Sequence, residues 1–146
     1  MSDPLAPVDV YVRVQQFYAR QMALLDDGLV EEWAATFCLD AVFAETRMPD
    51  PLRGRAAIRD TVRSGVDGLA AAGVDFRHRF GMLDVIPAPD GVRTRFCTLA
   101  LATPPGGPTE IRGNVVGRDH LEPAGDSWLV RQRQLRYDGS GRPGPT

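Results

Sequence analysis

Lysine is absent from this chain of 146 residues; all 17 of its basic side chains are arginine. A lysine Schiff base and a P-loop lysine are therefore excluded. The exclusive use of arginine also reads as a GC-rich coding bias, so no arginine is marked as functional by its type alone. Cysteine and histidine occur twice each. Cys38 and Cys97 stand alone, which gives neither a disulfide framework nor a zinc site, and they read as small core residues in a reducing compartment. His78 and His120 could serve a facial iron triad only beside one shared carboxylate. They fall on different predicted strands with opposite faces, and no metal site is expected. The G-x-S-x-G, H-E-x-x-H, P-loop and G-x-G-x-x-G patterns are missing, so serine hydrolase, zincin and nucleotide-loop chemistry have no local support and no cofactor is expected.

No apolar run approaches bilayer-spanning length, and the opening MSDPLAPVDV lacks a basic-then-apolar leader pattern, so a cytoplasmic protein is expected. A net charge of -2 supplies no basic surplus for nucleic acid or an anionic membrane, and neither is expected as a partner. The chain does carry 43% hydrophobic and 25% charged residues, enough to bury one core.

Apolar spacing predicts a helix over residues 8–25. Val10, Val14, Phe17 and Leu24 lie on one side, and Tyr11, Tyr18, Met22 and Leu25 on another, so the helix is contacted on more than one side. Gly28 ends it. A second helix is predicted over 30–37, with Glu31 and Glu32 in the first turn, where the helix dipole favours negative charge. A short strand over 41–45 follows, then a loop at Met48-Pro49-Asp50-Pro51. A third helix runs from Arg55 to about Ala72, with Gly65 and Gly68 as points where it could break. Strands over 74–86, 92–103, 109–121 and 128–137 are separated by Pro/Gly turns, and short turns make consecutive strands antiparallel. The order α-α-β-α-β-β-β-β predicts an α+β domain with helices on one face of a curved, mostly antiparallel sheet. Residues 1–7 read as a lead-in, 8–138 as the domain and 139–146 as a flexible tail.

Several landmarks keep a familiar order. These are Tyr18, Leu25-Asp26, Trp33, Phe37 and Asp40; the Leu52-Arg53-Gly54-Arg55-Ala56-Ala57-Ile58 entry to the third helix; His78; and Gly117-Arg118-Asp119, Trp128 and Arg133. Over roughly residues 8–138 the chain resembles the SnoaL-like branch of the NTF2-like superfamily. The resemblance implies a cone of three helices on a curved sheet around a pocket, and commonly a homodimer formed through the outer sheet face. The superfamily holds polyketide cyclases, dehydratases, ketosteroid isomerases, epoxide hydrolases, dioxygenase small subunits and non-catalytic transport proteins, so fold does not fix function.

Asp26, His78 and Asp119 are the candidate catalytic residues. Tyr18, Met22 and Asp26 share a helix face at i, i+4, i+8. A carboxylate in the last turn, beside leucines, has its charged form disfavoured by the dipole and by desolvation, which suits it to proton transfer; otherwise Asp26-Asp27-Gly28 is only a solvated turn. The resembled dehydratases place a pocket Asp here and a pocket histidine at the position of His78. Strand alternation puts Phe76, His78, Phe80 and Met82 on one face, where His78 is a base or a core histidine with a local partner. The resemblance turns Gly113, Val115, Gly117 and Asp119 inward. The two glycines would then widen the cavity and Asp119 would sit near its mouth, unless it only pairs with Arg131 or Arg133. A register slip of one would turn Asn114 and His120 inward instead. Candidate substrate contacts are Tyr18, Met22, Trp33, Phe37, Asp40, Phe80, Met82, Val115 and Gly117, with core packing the competing role of Trp33 and Phe37. Arg77, Arg79, Arg93 and Arg95 are expected on the outer face.

The resemblance implies a cofactor-free cyclase or isomerase for an apolar, carbonyl-bearing substrate of polyketide type. It would act by acid–base chemistry or by folding the substrate into a reactive conformer. The alternatives are a dehydratase using Asp26 and His78, and a non-catalytic subunit or ligand-binding module.

Overall fold

Gly28, at φ +78°, terminates α1 (Val8–Asp26), and the amides of Asp27, Gly28 and Leu29 return to the carbonyls of Ala23, Leu25 and Leu24. These contacts belong to a computed structural model, which describes residues 4–141. The second helix, α2 (Val30–Ala34), stops three residues short of the predicted end. The Thr36 hydroxyl donates to the carbonyl of Trp33 at 2.6 Å, and the Thr36 carbonyl accepts the amide of Val130, so the chain turns directly into a sheet. Phe37 thus opens β1 (Phe37–Glu45) and does not close a helix. Its ring still meets Trp33 edge-on, with centroids 4.8 Å apart.

A two-residue strand, β2 (Leu52–Arg53), occupies the stretch expected only as the entry to the third helix; it hairpins against β1, and α3 follows over Arg55–Ala71. Gly65 and Gly68 do not break α3, although each lowers helix propensity by about 1 kcal/mol relative to alanine. The long strands are β3 (Asp75–Ala88), β4 (Gly91–Thr103), β5 (Glu110–Ala124) and β6 (Ser127–Tyr137). They complete one six-stranded sheet in the order β2-β1-β6-β5-β4-β3, antiparallel throughout except for the parallel β1–β6 pair. The helices lie on its inner face, as the α+β reading requires. Of the flexible tail, 142–146 falls outside the described residues; before it, Ser140 bonds Thr46 and the Tyr137 carbonyl.

Burial alternates along β5: Val115, Gly117, Asp119 and Leu121 are buried between exposed or half-buried neighbours. The glycine-bearing side therefore faces inward, and Asn114 and His120 do not. The glycines do not widen the cavity, however. A Cβ on Gly117 would overlap the Phe96 ring, and one on Gly113 would lie 3.0 Å from the Tyr137 ring. Those positions are small because aromatic rings from β4 and β6 occupy the space above them. Open volume comes from α3, where nothing lies within 4 Å of a Cβ built on Gly65.

Strand β3 carries a bulge between Gly81 and Asp84, with Met82 at φ +53°. One extra residue reverses the facing of everything after it. Met82 is thrown outward, 79% exposed, while Val85 enters the core. The expectation that Met82 continues the face of Phe76, His78 and Phe80 is corrected on this point.

Gly117→Ala is expected to destabilise the fold by about 1–3 kcal/mol through overpacking against Phe96, read as a lowered urea midpoint at unchanged slope. Gly65→Ala is expected to leave the midpoint unchanged or raise it.

Candidate active site

A cavity of about 630 Å³ lies between the end of α1, one side of α3 and the inner face of β3–β6. Val62, Val66 and Leu69 of α3 face Phe96, Ala100, Val115 and Leu135 across it, so its walls are mainly apolar. The rungs of the sheet place its polar groups at different depths. His78 pairs with Ala100, Phe80 with Thr98, and Thr98 with Val115; Phe96 stands opposite Gly117 and Gly117 opposite Leu135; Thr94 meets Asp119 and Asp119 meets Arg133.

At the outer rungs, Asp26 and His78 face one another. His78 Nδ1 and Asp26 Oδ1 are 2.6 Å apart, and the backbone amide of His78 donates to Asp26 Oδ2 at 3.1 Å. Both side chains are largely buried, with 12% and 17% exposed for Asp26 and His78. A carboxylate only accepts, so Nδ1 donates, and in the neutral imidazole Nε2 is then the nitrogen with the lone pair. No partner for Nε2 occurs among the described residues. Arg77 donates to the carbonyl of Asp26 at 3.3 Å, meeting the negative end of the helix with a cation. The ring of Phe76 stands edge-on to the imidazole at 5.3 Å.

At the inner rungs lies a closed polar network. Arg133 grips Asp119 through Nε (3.0 Å to Oδ1) and Nη2 (2.9 Å to Oδ2), and Nη2 also donates to Gln21 Oε1 at 2.7 Å. Tyr18 donates to Asp119 Oδ2 at 2.7 Å and shares a 2.6 Å bond with Thr94. Gln21 passes the network to Thr36. Burial raises the Tyr18 hydroxyl well above the ordinary tyrosine range, and the Asp119 charge adds to this. Burial works against the charge on Arg133, but Asp119 outweighs it and holds the guanidinium above its usual range. Tyr18, Phe80 and Phe96 stack beside the network at 4.6–5.3 Å.

A family model for the SnoaL-like domain matches residues 7–134. The chain belongs to the SnoaL-like family. Aln2 from a Streptomyces species is 31% identical, with a TM-score of 0.85, over 92% of this chain and 95% of that one. A protein from Catenulispora acidiphila, solved in complex with S-DNPA, is 36% identical with a TM-score of 0.77, over 90% and 96%. ActVI-ORFA from Streptomyces coelicolor is 26% identical with a TM-score of 0.83, over 94% and 100%. No curated protein matches the chain.

On this SnoaL-like frame the structure brings Met22, Asp26, Trp33, His78 and Val115 to the cavity wall. It withdraws others from the expected contacts. Asp119 is not near the mouth: its side chain is wholly buried and bound by Arg133 and Tyr18. Tyr18 and Phe37 are fully buried, and Gly117 is covered by Phe96. Phe80 stacks on Tyr18 and Phe96 at the edge of the cavity and is not among its lining residues. Asp40 is exposed and pairs with Arg131 on the surface, and Met82 is outside altogether.

Cavity residues that the sequence did not mark include Arg133 and Thr98. Arg133, with its carbon Cζ 5.3 Å from the Phe37 ring, lies at the inner end; the sequence offered it only as an ion-pair partner. Thr98 lines the wall and carries a buried hydroxyl with no partner among the described residues. Its signal was inward alternation along β4, shared with Thr94 and Phe96.

Asp119→Leu alone is expected to cost about 3–5 kcal/mol, because it strands a buried guanidinium. Asp119→Leu with Arg133→Met is expected to recover most of that loss, as measured by chemical denaturation.

Proposed function

We propose that this SnoaL-like protein is a cofactor-independent cyclase or isomerase. Its substrate is an apolar, carbonyl-bearing intermediate of polyketide type, and the proton carrier is His78. The observation that carries this is the 2.6 Å contact between His78 Nδ1 and Asp26 on the wall of a mainly apolar cavity. Both Asp26 oxygens accept from His78, so the carboxylate is occupied as an orienting group. Nε2 is the atom left to take a proton from carbon next to a carbonyl and return it elsewhere on the substrate. Asp26 steadies the imidazolium formed in between. That the similar Catenulispora protein is solved in complex with S-DNPA supports small-molecule binding.

Asp119 takes no part in this reading except to hold the inner rungs in place. The homodimer is retained, through the outer face that carries Arg93, Arg95 and Arg118. No helix among the described residues is long and apolar enough to cross a membrane.

The same pair favours a second reading, as the acid and base of a dehydratase. A hydroxylated substrate would then leave the enzyme lighter by one water, whereas isomerising cyclisation conserves mass.

His78→Ala is expected to lower turnover by about 10²–10⁴-fold, the usual contribution of a positioned base. Asp26→Asn, which can hold the wrong tautomer, is expected to lower turnover by at least about 10²-fold. Both are read as kcat on a candidate polyketide intermediate, with folding checked by circular dichroism. Near-wild-type turnover in both variants would exclude proton transfer and leave only the shaping of the substrate.

A further inference from the structure

His78 stands on β3 at one edge of the cavity, and a second group of polar side chains lines the side formed by β1 and β6. These are Glu45, Arg47 and Tyr137. Alternation turns them inward: Glu45 follows Phe43 on β1, and Tyr137 follows Arg133 and Leu135 on β6. The two strands are fastened at this end. Glu45 pairs with Leu135, and the Tyr137 amide donates to Thr46 Oγ1 at 3.0 Å. The Arg47 guanidinium lies over the Tyr137 ring, with Cζ 3.5 Å from its centroid. Arg47 Nε is 3.6 Å from Glu45 Oε1, a charge contact longer than a hydrogen bond. The Glu45 side chain is only 14% exposed, so its carboxylate is drawn into the wall with acceptor capacity left over. Burial raises the Tyr137 hydroxyl above the ordinary tyrosine range, and the Glu45 charge adds to this, so it stays a donor at neutral pH.

We infer that Glu45, Arg47 and Tyr137 form a second polar pole of the cavity, which binds a neutral hydroxyl group on the part of the substrate farthest from His78. The sheet sets the spacing. His78 pairs with Ala100, Ala100 pairs with Gly113, and the Tyr137 ring covers Gly113. Two strand spacings separate His78 from Gly113, about 10 Å. From the sheet, only the Ala100 methyl rises between them at that level. The floor between the poles is therefore low, and a flat ring system can lie across it.

The charges at the pole select the group. Arg47 answers Glu45, so a carboxylate brought there meets the like charge of Glu45, and an ammonium meets that of Arg47. A hydroxyl is neutral and works both ways: it donates to the Glu45 carboxylate and accepts from Arg47 or Tyr137. A hydrogen bond to a charged group is the stronger kind, so Glu45 carries the larger share.

The orientation rests on the reading of His78 as the base, but the test is binding and not turnover. The probes are 1-tetralone and its 6-hydroxy, 6-methoxy and 6-carboxylate derivatives. In these the 6-substituent and the carbon beside the carbonyl lie at opposite ends of the rings. By calorimetry, wild-type protein is expected to bind the 6-hydroxy ketone about tenfold more tightly than 1-tetralone, the worth of a hydrogen bond to a charged group. The methoxy ketone, which cannot donate, and the carboxylate are expected to bind no more tightly than 1-tetralone. Glu45→Gln and Tyr137→Phe keep the shape of the wall. Glu45→Gln is expected to bring the hydroxyl preference within about threefold, and Tyr137→Phe to narrow it, with affinity for 1-tetralone unchanged in both. Tightest binding of the carboxylate, no hydroxyl preference, no binding of any probe by folded wild type, or a preference undiminished in both variants would overturn the assignment. Deuterium exchange at the carbon beside the carbonyl reports separately on His78. A hydroxyl preference without exchange upholds the pole and overturns the base; exchange without the preference does the reverse.

Discussion

A guanidinium locked onto a carboxylate beneath the inner end of the cavity governs where everything else stands. Arg133 and Asp119 face one another across β5 and β6, and removing either partner would leave the other as a bare charge in the core. The pair also reaches upward. Gln21 accepts from Arg133 and Tyr18 donates to Asp119, so α1 is pinned to the sheet at two points three residues apart. Tyr18 precedes Asp26 by eight residues, a little over two turns, so both lie on the same side of α1. Pinning the helix at Tyr18 therefore decides where Asp26 emerges, which is against His78 of β3. A network that touches no reacting atom thus sets the aim of the pair that does in the proposed mechanism.

The two buried acids show how environment divides roles between identical side chains. Asp119 has its acceptor capacity consumed by Arg133 and Tyr18; burial keeps the tyrosine protonated, and the contacts of Arg133 with its partners keep the guanidinium charged against the pull of burial. Asp26 is bound on both oxygens too, but by a single histidine that keeps its second nitrogen open. Saturation by groups that do not titrate near neutrality makes a structural element. Saturation by an imidazole makes an orienting group, because the consequence is carried to Nε2.

The elements that the sequence displayed clearly were those whose periodicity is long: α1, α3 and the four long strands. The inward facing of β5 was also anticipated: alternation from Gly113 to Asp119 leaves only two registers, and the family resemblance chose between them. The failures were local and had specific causes. Thr36 captures the Trp33 carbonyl and ends α2 early, a side-chain competition that hydrophobic spacing does not register. The bulge at Met82 breaks the alternation of β3 without a glycine or proline at the kinked position itself. Glycines 113 and 117 looked like added volume, because a sequence shows the missing side chain and not the ring that fills its place. At the site, Asp26 and His78 were legible as separate candidates, while their contact spans 52 residues and only the fold could bring them together. Thr98 gave little signal, since one threonine in an alternating strand looks like any other half-buried position.

Shaping a flexible substrate and moving its proton are usually set against each other as explanations for such a cavity. Here the geometry joins them. The proposed base on the outer rung acts on a substrate only when the carbon next to its carbonyl lies within reach of His78 Nε2. The apolar wall of Val62, Val66 and Leu69 on α3 is what would confine a ring system to that position. In the proposed mechanism, positioning restricts the substrate to conformers in which Nε2 can reach carbon, and acid–base chemistry contributes only within that restricted set. The neutral balance of Arg133 against Asp119 serves the same end. It lets an uncharged substrate enter an interior of low polarity without meeting an unanswered buried charge.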